Sequence, residues 1–152
     1  MRVRPARAED APEIVSWFPD HEAAVRWGGP AVPDPLEAIW LAREFGSRGR
    51  AYFVLAGEDG RPIGVIGMRR RLSESRVHLM RVGVKPELRG QGLIRLLIEA
   101  VAQVALVGGA TRLTLNVYAD NPSAIRAYEK ARFRQAGPTR GLAGSVRMVR
   151  RL

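Results

Sequence analysis

The sequence predicts an α+β fold, on three observations. Residues 52–56 and 62–68 are two runs of strand-forming residues joined by Glu58-Asp59-Gly60, a hairpin signal. Leu93, Leu96, Leu97, Ala100, Val101 and Val104 recur at helical spacing and mark residues 89–107 as the strongest helix of the chain. That helix lies between strand-like runs at 77–84 and 112–118, the order of a βαβ crossover. With 152 residues, 46% hydrophobic and 26% charged, the chain reads as one domain spanning 1–152.

The remaining elements follow in order. Val3-Arg4-Pro5 is a short strand, and 9–18 a helix with Ala11, Ile14, Val15 and Phe18 on its apolar face, ended by Pro19. Asp20 caps a second short helix through Trp27, and 36–45 forms a third after a loop rich in glycine and proline. Trp17, Trp27 and Trp40 all fall in this region and read as packing residues rather than a ligand cage. Lys85-Pro86 stops the 77–84 strand, because proline has no N–H for the ladder. Gly108-Gly109 closes the long helix, Asn121-Pro122 opens another that runs to about Arg132, and 133–136 with 146–152 are two closing strands. Exposed edges on those last two strands raise the expectation of a homodimer.

The chain carries 25 basic and 15 acidic residues, a net charge of +10. Residues 1–76 hold 12 basic and 11 acidic groups, whereas 77–152 hold 13 and 4, so nearly all the excess is C-terminal. The span 9–44 is the exception, with eight acids against Arg26 and Arg43. This fits either a solvated acidic helical face beside a basic domain body or an anionic ligand for one half and a cationic one for the other. The absence of cysteine excludes disulfides, zinc–thiolate sites and a cysteine nucleophile, and makes the reduced cytoplasm the simplest home. No apolar signal core or transmembrane run is present: Arg95, Glu99 and Gln103 interrupt the longest apolar stretch at a spacing of four.

Two segments carry chemistry. Val82-Gly83-Val84-Lys85-Pro86-Glu87-Leu88-Arg89-Gly90-Gln91-Gly92-Leu93 places two glycines and an arginine between a strand and a long helix, where free N–H groups and the helix dipole favour an anion such as phosphate. Neither a dinucleotide fingerprint nor a Walker loop fits: Arg95 stands where the third glycine is needed, and Gly-Lys-Ser/Thr is missing. In the second segment, Asn121 is a good helix cap, and Asn121, Ala124, Ile125 and Tyr128 stack on one face. A phenol there can reach a group bound beside strand 112–118, or can equally be a half-buried packing residue.

The pair of segments resembles motifs A and B of the GNAT superfamily of acyl-CoA-dependent N-acetyltransferases. Motif A, Val-x-Pro-x-x-Arg-Gly-x-Gly, reads here as Val84 to Gly92, and Asn-x-x-Ala-x-x-x-Tyr-x-Lys reads as Asn121 to Lys130. The resemblance extends to the element order and to Arg4-Pro5-Ala6 with Glu9-Asp10-Ala11 at the start. It implies a GNAT-like α+β fold with a mixed sheet of about seven strands, a splayed parallel pair and helices on both faces. Two residues depart from the pattern: Ile94 stands where a small residue usually lets the pyrophosphate approach, and Arg132 where glycine usually precedes Phe133.

By this resemblance, 76–132 form the acyl-CoA-binding core and 9–46 the acceptor-side helices. The co-substrate acetyl-CoA pairs with backbone groups of Val82, Gly83 and Val84. Its pyrophosphate rests on the N–H groups of Arg89, Gly90, Gln91, Gly92, Leu93 and Ile94, with Asn121 and Tyr128 across the cleft. An amine acceptor attacks the thioester directly in a ternary complex, and Tyr128 protonates the departing thiolate. His78 is the candidate general base, through water, and also reads as a plain structural histidine; Asp20, Glu22, Glu74 and Asn116 are weaker candidates. The charge map then predicts a cationic acceptor: a small amine, a polyamine or a protein N-terminus. Rival readings are a non-catalytic CoA-binding domain, motivated by Ile94 and Arg132, and a nucleic-acid-binding module, motivated by Arg69-Arg70-Arg71 and Arg150-Arg151. No nucleic acid and no membrane are expected as partners.

Overall fold

The structure, a computed structural model, describes residues 1–71 and 75–152. In chain order its elements are β1 (Arg2–Pro5), α1 (Ala11–Val15), α2 (His21–Gly28), α3 (Ala38–Phe45), β2 (Arg50–Ala56), β3 (Pro62–Arg71), β4 (Arg76–Val84), α4 (Leu93–Val107), β5 (Arg112–Tyr118), α5 (Pro122–Lys130), β6 (Arg134–Pro138) and β7 (Ser145–Arg151). The strands form one seven-stranded sheet ordered β1-β2-β3-β4-β5-β7-β6. Among the described residues only β4 and β5 run parallel.

Strand alternation gives the sheet two apolar faces. On one, α4 and α5 cover Leu55, Ile66, Leu79, Leu113, Leu115 and Met148. Leu97, Ile98 and Val101 of α4 are fully buried there, and each contributes about 2 kcal/mol on removal from water. On the other, α1 to α3 bury Ala11, Ile14, Ala24 and Leu41 against Val54 and Val65. No described helix is long and apolar enough to cross a membrane.

Two helix boundaries and one strand's place in the sheet differ from what the sequence suggests. The first helix is only Ala11–Val15, preceded by a tight 3₁₀ turn at Ala8–Asp10. Buried Asp10 fixes this corner by accepting the Arg7 N–H and both Arg4 guanidinium nitrogens, each at 2.8 Å. The long helix begins at Leu93 rather than at 89, because Gly90 (φ +77°) and Gly92 (φ +78°) are left-handed and cannot continue a right-handed helix. Strand 146–152 offers no free edge: it lies between β5 and β6, so the sheet's edges are β1 and β6.

The end of α5 settles what Arg132 does in place of glycine. The Phe133 N–H reaches the Tyr128 carbonyl at 3.0 Å and the Arg132 N–H the Glu129 carbonyl at 2.9 Å, the paired bonds of a Schellman stop, with the Phe133 and Tyr128 rings in edge contact. Arg132 therefore takes the left-handed conformation (φ +70°) despite its side chain. Its 3.5 Å contact with Glu99 is largely exposed and adds little. Arg132→Gly should stabilise the fold by about 1 kcal/mol, seen as a rise of roughly 2–4 °C in Tm for a chain of this size.

Candidate active site

The parallel pair β4–β5 is bonded only from Arg76↔Arg112 to His78↔Thr114. Beyond that point the strands part, and a cavity of about 690 Å³ opens between them. Its walls come from the C-terminal half of β4, from Asn116 to Tyr118 of β5, from Asn121, Ala124 and Tyr128 of α5, and from Phe18 and Trp27. Phe18 and Trp27 stack with centroids 4.4 Å apart. Gly83 gives them room, since a Cβ there would meet the Trp27 ring at 3.0 Å. Trp27 is thus both a packing residue and a cavity wall.

A β-bulge interrupts β4 inside the cavity. Met80 pairs with Gly67 and Gly83 with Val65, so Arg81 and Val82 together oppose Ile66. The extra residue leaves backbone groups outside the ladder, and Arg81, Val82, Gly83 and Val84 all line the cavity. The strain sits at Arg81, whose φ of +51° is unfavourable for a side-chain-bearing residue. Four partners hold it there: the Gly28 carbonyl at 3.2 Å, Glu44 Oε1 at 3.1 Å, the Tyr52 hydroxyl at 2.5 Å and the Trp40 ring at 5.0 Å. Burial alone would raise the Glu44 carboxyl, but Arg50 and Arg81 outweigh it and keep the group below the usual carboxylate range.

At the start of α4 the N–H groups of Gly90, Gln91, Gly92, Leu93 and Ile94 donate to no backbone carbonyl among the described residues. The left-handed glycines turn the chain into this nest, and nothing stands within 4 Å of where a Cβ would project from either. With the dipole of a 15-residue helix behind it, the turn suits the diphosphate of a coenzyme A thioester. Arg89, Gly90 and Ile94 line the cavity, whereas Gln91, Gly92 and Leu93 do not. The Leu93 side chain is buried in the α4 core, leaving only its N–H on the turn.

Asn121 caps α5 by accepting the Ala124 N–H at 3.3 Å. One face of that helix then presents Asn121, Ala124 and Tyr128 to the cavity. Burial pushes the Tyr128 phenol up to about 12, so it stays protonated and able to donate. Among the described residues no protein group hydrogen-bonds its hydroxyl.

His78 stands where the strands separate, its Nδ1 2.8 Å from the Thr114 Oγ1. Burial first, then the Arg69 and Arg71 guanidinium groups, push its imidazole from 6.5 down to about 4. It is neutral at pH 7 and a weak base. The folded pKa lies below the unfolded one, so this contribution to stability is complete above about pH 6.5 and is lost as pH falls toward 4. His78→Gln should therefore lose about 3 kcal/mol less between pH 7 and pH 4 than the parent, checked by urea unfolding at both pH values.

Of the other base candidates, Asn116 lines the cavity and Asp20 and Glu22 do not; Glu74 lies outside the described residues. None of the eight acids of 9–44 lines it. Asp10 pairs with Arg4, Glu13 with Arg61 and Lys85, Glu44 with Arg50 and Arg81, and Asp20 caps α2. The wall instead carries Arg26, Arg50, Arg69, Arg81 and Arg89. The sequence singles out neither Arg50 nor Arg81 and offers Arg69 only within a basic run, because only strand register shows which arginines converge. The runs that suggested nucleic acid are divided by alternation: Arg69 faces the cavity, Arg70 donates to the Gly108 carbonyl, and buried Arg150 pairs with Glu99 at 2.8 Å.

The architecture has solved counterparts. A spermidine N-acetyltransferase from Vibrio cholerae, in complex with CoA and spermine, superposes with a TM-score of 0.78 at 19% identity, over 99% of this chain and 94% of that one. The GNAT domain of S. lividans PAT gives 0.79 at 21% identity, over 99% and 90%. The aminoglycoside acetyltransferase AAC(6')-Ib, in complex with coenzyme A and kanamycin, gives 0.76 at 17%, over 98% and 93%. At these identities the likeness establishes the fold. The profile of the acetyltransferase (GNAT) family matches residues 13–133, which hold the splayed strands, the glycine turn and Tyr128, and the chain belongs to that family.

Proposed function

We propose that this protein transfers an acetyl group from acetyl-CoA to a primary amine by direct attack in a ternary complex. The observation that carries the reading is the convergence, on one cavity, of Gly90 and Ile94 from the unpartnered N–H turn, the bulge at Arg81–Val82 and the protonated Tyr128. In this assignment residues 76–132 form the donor site, and acetyl-CoA supplies an activated acyl thioester. The N–H groups of 90–94 hold its diphosphate, and Val82 to Val84 pair with the pantetheine arm. A backbone N–H freed by the bulge polarises the thioester carbonyl. The Tyr128 hydroxyl gives its proton to the departing sulfur. We assign the amine's proton to water along the His78, Thr114 and Asn116 row, since a neutral His78 relays a proton more readily than it retains one. The chain's lack of cysteine agrees with a route that needs no acyl-enzyme.

Calorimetric titration with acetyl-CoA, CoA and ATP tests the donor site. Wild type should bind both CoA ligands and not ATP. Gly90→Glu, which puts a β-carbon at φ +77° and a negative charge on the N–H turn, should bind them at least tenfold more weakly. Equal affinity in the variant would refute the assignment.

The acceptor site lies on the side of the bulge away from that turn. Spermine and kanamycin, the amines bound in two of the structural neighbours, are cationic, and the acidic span 9–44 raises the same expectation for this chain. The cavity wall favours a different charge.

A further inference from the structure

Strand register aligns Arg50 of β2 opposite Arg69 of β3, Arg69 opposite His78 of β4, and His78 opposite Thr114 of β5. The next row outward on the same face is Arg71, Arg76, Arg112 and Arg151, directly opposite one another on β3, β4, β5 and β7. Like charges placed opposite each other in a ladder repel. Arg50 is compensated by Glu44 at 2.6 Å. Arg69 makes no ion pair or hydrogen bond among the described residues, and its Nε is buried without a partner. Burial, then Arg71, Arg50 and Arg81, disfavour its charge. Of these arginines Arg50 and Arg69 line the cavity, no carboxylate lines it among the described residues, and Arg69 there is open to an anion supplied from outside.

We propose that the acceptor is the amino terminus of an acidic peptide, with a side-chain carboxylate two or three residues along seated on Arg69 beside Arg50. This deepens the acetyl-transfer reading above and rests on it. The length follows from the strand: His78 lies three to four residues before the bulge, roughly 10–13 Å at about 3.3 Å per residue. An α-amino acid, whose amine and carboxylate share one carbon, cannot span that distance. A peptide at about 3.3–3.6 Å per residue covers it in three to four residues, fewer if the arginine side chains lean inward. Exposed Arg112 and Arg151 continue the positive surface outward along the sheet, toward which later acidic side chains would extend.

The test compares kcat/KM for tetrapeptides of one length with amino-terminal alanine followed by aspartate and glutamate, by serine and glutamine, or by lysines. Spermine and 6-aminohexanoate are included, each at low and high salt. Wild type should favour the acidic peptide over the lysine peptide at least tenfold, with the preference shrinking as salt rises. In Arg69→Gln the acidic-to-neutral ratio should fall about tenfold, and Arg69→Lys should restore part of it. The glutamine variant should also melt higher than wild type at low salt, since a repelling charge is gone; this separates lost recognition from lost folding. Should no acceptor turn over, binding of the acidic peptide to the CoA-loaded protein, lost in Arg69→Gln, supports the proposal, and absence of such binding overturns it. Preference for spermine or the lysine peptide, an acidic preference that survives Arg69→Gln, or salt-sensitive capture of single-stranded RNA on these arginines without peptide binding each overturn it as well. 6-Aminohexanoate outpacing the peptide would keep the carboxylate site and overturn the peptide. Failure to bind acetyl-CoA would sink the underlying acetyl-transfer reading instead.

Discussion

Tyr128→Phe should lower kcat by about 10²–10⁴ while leaving the affinity for acetyl-CoA within twofold of wild type. The hydroxyl is the only group the substitution removes, and no protein group among the described residues depends on it. The fold should therefore lose no more than about 1 kcal/mol. In the proposed mechanism the chemical loss is large, because the departing thiolate takes its proton from this phenol, which burial holds up at about 12. A second measurement separates proton donation from packing. With an acetyl thioester whose thiol is several units more acidic, the leaving group needs less help, and the gap between wild type and the Tyr128→Phe variant should close. A gap that stays the same for both donors would show that the ring, not its proton, is what matters.

Arg81→Met should cost about 3 kcal/mol of stability, because removing one partner of a buried ion pair strands the other. The side chains of Arg81 and Glu44 are only 9% and 13% exposed. Arg50 remains beside Glu44, which keeps the loss near the lower end of the range for such pairs. For a chain of this size the expected drop in Tm is roughly 6–12 °C. Activity should fall further than stability explains, by more than tenfold in kcat/KM at a temperature where the variant is fully folded. Arg81 is a positioning residue: its clamp on Gly28, Tyr52 and Trp40 holds the left-handed turn that opens the ladder at Val82. Arg81→Gly distinguishes the two contributions, since glycine relieves the φ strain but cannot hold the turn. Wild-type activity in the glycine variant would show that the clamp has no catalytic consequence.

Much of this molecule is written locally. The hairpin signal at Glu58-Asp59-Gly60, the helical repeat of the long helix, and the Asn121 cap each specify their element through neighbours a few residues away, and each element is present, the long helix starting at Leu93 instead of 89. The glycine turn and Tyr128 were legible for the same reason, as both belong to contiguous motifs. The left-handed Arg132 shows the limit of that local logic: the Schellman bonds and the Tyr128–Phe133 contact impose a conformation that the residue's own preference opposes.

By itself, then, the sequence determined the element order and the family, and marked the segments of the proposed donor side, since these rest on short-range periodicity, capping and turn chemistry. The tertiary structure alone shows which side chains line the rest of the cavity, and the proposed acceptor side rests on it. A charge sum over 9–44 points to a cationic acceptor and the cavity lining supports the proposed acidic one, because net charge along a chain says nothing about direction. Ion pairs hold Asp10, Glu13 and Glu44 away from the cavity, and the register of three strands brought Arg50, Arg69 and His78 from distant positions into one row. The bulge at Arg81 belongs to the same class, because a register shift exists only between two paired strands. Where recognition depends on which side chains face one another across a ladder, the pairing has to form before the chemistry can be read.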